Sequence, residues 1–103
     1  MKRWKEDKII IHANPMDGIH LEEYDFEVDL YVYSNRVVTI KKSDNVVKKV
    51  DRDNYTLSIT SEMSEKMGHG KVLMDFIAFI PDADFPDGYI TKIDEKICTG
   101  VTI

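Results

Sequence analysis

The chain has 103 residues, 43% of them apolar and 32% charged, with a formal net charge of -5. That length fits one domain spanning residues 1–103, and the composition excludes disorder, collagen and coiled coil. The acidic balance argues against general nucleic-acid binding. With a single cysteine, Cys98, no intramolecular disulfide can form, so the core itself must hold the fold. The start, Met1 to Lys8, is too charged for a signal peptide, and no apolar stretch has the length of a membrane span. The expectation is a protein without signal peptide or transmembrane segment, made in the cytoplasm.

Period-two alternation runs through the chain and helical periodicity is nearly absent. Ile9 to His12 reads as a first strand, followed by a turn at Asn14-Pro15-Met16-Asp17-Gly18. Tyr24 to Tyr33 is the clearest strand: Phe26, Val28, Leu30 and Val32 point one way, and Asp25, Glu27, Asp29, Tyr31 and Tyr33 the other. Ser34-Asn35 reads as a tight turn into Arg36 to Lys42. Ser43-Asp44-Asn45 then turns the chain into Val46 to Val50, which predicts a basic hairpin. Asp51-Arg52-Asp53-Asn54 is the next turn, and Tyr55, Leu57 and Ile59 mark a half-buried strand.

Ser61 to Met67 is the one candidate helical turn, with Ser61 as its cap and Gly68 as its end. Lys71 to Ile80 is apolar on both faces apart from Asp75, which predicts a central strand covered on both sides. Pro81 stops it. Asp82 to Gly88 is a loop, and Tyr89 to Asp94 and Ile97 to Ile103 are two further strands. The last is apolar beyond Lys96, so it is expected inside a sheet or paired with another chain. Seven or eight short strands divided by turn clusters predict an all-β, antiparallel immunoglobulin-like β-sandwich.

Candidate chemistry is sparse. Asp82, Asp84 and Asp87 are weak metal candidates, since calcium takes carboxylate oxygens from loops, but their spacing does not fit an EF-hand. The plainer reading is a stiff loop in which aspartates bond nearby amides, Phe85 is tucked inward and Gly88 takes an unusual dihedral angle. Asp51, Asp53 and Asn54 are hairpin-turn residues that a two-sheet fold would bring to Asp82 or Asp84 only if loops at one end converge. His12, His20 and His69 share no metal spacing with one another or with Cys98. No nucleophile elbow, phosphate loop or triad pattern occurs, so no enzyme and no cofactor are expected.

Asp17 to Asp29 holds six acids and no base, and Arg36 to Arg52 is mainly basic. Lys41, Lys42, Lys48 and Lys49 are therefore candidate interaction residues for an anionic partner or the acidic strand of a second copy. The plainer reading pairs the acidic and basic segments within one molecule. Trp4, Tyr31 and Tyr33 are candidate interaction aromatics.

From Tyr24-Asp25-Phe26 the features run in order through Asp51 to Tyr55, Gly68-His69-Gly70, Ile80-Pro81-Asp82-Ala83-Asp84-Phe85-Pro86-Asp87-Gly88 and Thr99-Gly100-Val101-Thr102-Ile103. This order resembles small immunoglobulin-like proteins of phage or prophage regions in gut Bacteroidetes. It is also broadly similar to the N-terminal domain of phage baseplate upper proteins. The resemblance implies a non-enzymatic virion component, of tail or baseplate, whose partners are other copies of itself or other virion proteins. It carries no catalytic residues. A small carbohydrate- or calcium-binding module is the other expectation.

Overall fold

The computed structural model describes residues 4–33 and 37–103. The expected turn at Ser34-Asn35, and Arg36, lie outside the described residues. The chain forms β1 (Asp7–His12), a 3-10 turn (Leu21–Glu23), β2 (Asp25–Tyr31), β3 (Val38–Lys41), β4 (Val47–Asp51), β5 (Asn54–Ile59), α1 (Ser61–Met67), β6 (Lys71–Pro81) and β7 (Tyr89–Thr102). These strands make two antiparallel sheets, in the orders β1-β5-β4 and β3-β2-β6-β7. In immunoglobulin lettering, β1 to β7 correspond to B, C, C′, D, E, F and G, giving sheets B-E-D and C′-C-F-G. The place of a strand A, beside β1, has no occupant among the described residues.

The core forms where alternation puts apolar side chains between the sheets. Phe26, Val28 and Leu30 of β2, with Val32 just beyond it, are fully buried against Ile9 and Ile11 of β1 and Leu57 and Ile59 of β5. Val72, Met74, Phe76, Ala78 and Ile80 extend the core along β6. Phe26 is its aromatic centre, with Phe76 at 5.2 Å and Tyr55 edge-on at 5.6 Å between ring centroids.

Four expectations are corrected. There is no basic hairpin: β3 pairs with β2 and β4 with β5, so the Ser43–Asn45 turn carries the chain from one sheet to the other. Its geometry is fixed locally, with the Lys41 amide donating to Asp44 Oδ2 and the Val47 amide to the Asp44 carbonyl. The two last strands are one, β7, bent by register shifts opposite Met74/Phe76 and Lys71/Leu73. Lys96 (φ 56°) and Gly100 (φ 78°) take left-handed backbone angles in the extra residues of these bulges. The helix is capped by Thr60, whose side chain accepts from the Met63 amide, while Gly68 ends it at φ 84° as expected.

β6 is central, as expected, but covered on one side only. Leu73, Ile77 and Phe79 lie half-buried on the outer face of the sheet. Of the two places expected for the last strand, inside a sheet does not hold among the described residues: β7 forms the sheet edge, with ten of its fourteen residues exposed and Val101 buried.

Candidate interaction surface

The register of β6 with β7 sets the chemistry of this surface. Pro81 faces Tyr89, Phe79 faces Thr91, Ile77 faces Ile93, Ala78 faces Lys92 and Phe76 faces Asp94. Ala78 and Phe76 point into the core, so Lys92 and Asp94 share the inward face; Tyr89, Thr91 and Ile93 share the outer one. Ile93 is 56% exposed and Tyr89 39%. Tyr89 stacks edge-on against Phe79 at 5.2 Å. Together with Ile77 these make an apolar outer patch. On its inner border stand Asp25 and Glu27 of β2, cross-strand partners of Phe79 and Ile77.

Further along this face the surface turns polar and fixed. The Tyr31 hydroxyl donates to Asp75 Oδ1 at 2.8 Å, and the Lys96 amide donates to the same oxygen at 2.9 Å. Desolvation, then the Asp75 carboxylate, holds the Tyr31 phenol above its ordinary pKa, so it remains a donor. Between β1 and β7, edges with no further strand partner among the described residues, the sandwich gapes into a cleft of about 500 Å³. Met74, Phe76, Ala78 and Ile97 line it with Ile11 and Met16, and exposed Lys92 and Asp94 border it.

The other candidate residues scatter. Trp4 stacks on His69 at 4.3 Å, which ties the N-terminal segment to the turn before β6. Tyr33 is 71% exposed at the end of the β2 segment, at φ 53°. Lys41 and Lys48 are exposed, and Lys49 pairs with Glu22. That contact holds the Glu22 carboxyl below its ordinary pKa and raises Lys49. Lys42 is no surface contact. Its ammonium donates to the carbonyls of Tyr24, Glu22 and Leu21 and lies over the Phe26 and Tyr55 rings. The acidic and basic segments thus meet within the molecule, at Lys49–Glu22 and across β2 and β3, where Glu27 faces Lys41.

Asp82, Asp84 and Asp87 sit on the turn between β6 and β7. Asp82 Oδ1 accepts from the Asp84 amide, the Asp82 carbonyl from the Phe85 amide, and Gly88 stands at φ 82°. Phe85 is 42% exposed, so it is not tucked inward. No group of three His, Cys, Asp or Glu side chains is placed to hold a metal ion among the described residues. Asp53 does not meet that loop: it meets His20, with Nδ1 3.0 Å from Oδ1. Asp51 binds the Asn54 side chain and the Asp53 amide. Cys98 is exposed on β7. No described helix is long and apolar enough to cross a membrane.

Sequence reasoning missed the outer patch because Leu73, Ile77 and Phe79 read as a second buried face; the acids of β2 beside them were the available sign of solvent. Comparison with protein-family models, with curated proteins and with solved structures finds no match for this chain.

Proposed function

We propose that this chain is a non-enzymatic assembly domain that docks through the β7 edge and the apolar patch beside it. One observation carries the reading: Tyr89 to Asp94 is a regular edge strand with exposed Ile93 and Tyr89 and no partner on its outer side among the described residues. Unpaired backbone next to apolar side chains is a template for another chain, and proteins that do not use such an edge blunt it. Here the bulges lie only in the C-terminal half of β7, and the charges on the regular half, Lys92 and Asp94, are of opposite sign and so exclude fewer partners than a run of lysines would.

The setting we propose is a phage or prophage virion, on the strength of the motif order from Tyr24 to Ile103. A tagged chain mixed with lysate from an induced lysogen tests both parts. The expected result is recovery of tail or baseplate proteins, or of untagged copies, at least tenfold above an Ile93→Lys variant whose circular dichroism is unchanged. Equal recovery with both chains would refute the docking surface; recovery of only non-virion proteins would refute the setting.

A further inference from the structure

The edge that carries the assembly reading also carries a pattern that selects a partner. We infer that two copies of this chain pair antiparallel through β7 about a two-fold axis at Ile93, joining their four-stranded sheets into one of eight strands. This names the partner within the reading above and rests on it.

A two-fold axis perpendicular to the sheet keeps both outer faces on one side. Outward residues must then face outward residues across the new seam, so the axis runs midway between two copies of one residue, which face each other directly. Few centres lie on the regular stretch, and charge separates them. Centred on Lys92, two lysines stand directly opposite; centred on Asp94, two aspartates do. Either arrangement is unfavourable. Centred on Thr91, Lys92 faces Ile90 of the second copy and gains no counter-charge. Centred on Ile93, Lys92 faces Asp94 of the second copy and Asp94 faces its Lys92.

Both side chains are exposed, and neither has an ion-pair partner among the described residues. They share the inward face and border the apolar cleft. On the outer face the same register sets Ile93 against Ile93. Because Ile77 faces Ile93 within each copy, four isoleucines then run unbroken across the seam. This covers the most exposed apolar side chain of the regular edge, at 56%. The bulge that begins after Asp94 ends the regular pairing and keeps the seam short.

Lys92→Asp and Asp94→Lys test this directly, because each alone puts like charges opposite and the two together restore opposite ones. Sedimentation equilibrium should show each variant dimerising at least tenfold more weakly than the wild type. An equimolar mixture of the two should form a heterodimer within about threefold of wild-type affinity. Strand register is read by oxidation in a Cys98→Ser background, where opposed Cα atoms lie within disulfide reach. Ile93→Cys should cross-link to itself at least tenfold faster than Thr91→Cys.

A wild-type chain that stays monomeric at millimolar concentration would overturn the inference. So would a mixture no tighter than its components, or faster cross-linking at position 91. Recovery of virion proteins in the lysate experiment by a chain that is monomeric would leave the assembly reading standing while removing this one.

Discussion

Lys42→Met removes the ammonium that joins the 3-10 turn to the end of β3 while keeping most of the side-chain stem. That ammonium donates to the Tyr24 carbonyl at 2.8 Å and the Glu22 carbonyl at 3.0 Å, with the Leu21 carbonyl at 3.4 Å. It also stands 5.5 Å from the Tyr55 ring centroid and 5.7 Å from that of Phe26. A hydrogen bond from a charged donor contributes about 1.5–3 kcal/mol, and the half-buried bond to Tyr24 belongs in that range. The bond to Glu22 faces water and adds little; the rings add about 0.5–1 kcal/mol. Desolvation opposes these gains, and it is what holds the Lys42 pKa below the ordinary lysine value. The thioether recovers part of the ring contact.

The balance is a loss of about 2 kcal/mol, or about 8–10 °C in Tm for a domain of this size. Thermal and urea unfolding, followed by circular dichroism, measure it. Lys41→Met, at an exposed neighbour, is the control and should stay within about 0.5 kcal/mol of the wild type. A Lys42→Met protein melting within about 2 °C of the wild type, or no lower than the control, would refute the reasoning.

Gly70→Ala should destabilise the chain by about 2–3 kcal/mol in the same assay. A Cβ there would lie 2.6 Å from Cγ1 of buried Val32, on a backbone at φ +145°. His12 should titrate above the ordinary histidine value of 6.5 when followed by NMR. Nδ1 lies 2.8 Å from Asn54 Oδ1 and Nε2 3.2 Å from Asn14 Oδ1, and only the imidazolium donates to both. The folded pKa is raised, so the small stabilisation is fully present below about pH 6.5 and fades as pH rises through the folded value. Asn54→Ala, which removes the larger cause, should move the midpoint down; an unmoved midpoint would assign the shift elsewhere.

The sandwich was legible wherever burial alone set the pattern. Phe26, Val28, Leu30 and Val32 alternate with polar neighbours because one face of their strand meets the core and the other meets water. Sheet membership was not legible at Ser43–Asn45, because the same turn residues serve a chain that returns to its own sheet and one that crosses to the other. The inward place of Lys42 is written in its phase, which continues that of Val38 and Ile40 toward the core. The apolar outer face of β6 was misread because local sequence carries the apolarity of a strand face and not what covers it. His20–Asp53 joins residues far apart in the chain, and no spacing rule could bring them together.

The strand order has a kinetic consequence. β1 meets β5 with Asp7 against Ile59, and β2 meets β6 with Asp25 against Phe79, each about fifty residues apart along the chain. Closing such loops costs entropy before any contact returns it, so this chain belongs with β topologies that fold over milliseconds to seconds. The β6–β7 hairpin is local and can form early, before β2 arrives to cover the other side of β6. During that interval the hairpin presents two open strands instead of one. The yield of soluble protein should therefore depend on how fast chains are made and how crowded they are at that moment, more than on the stability of the finished fold.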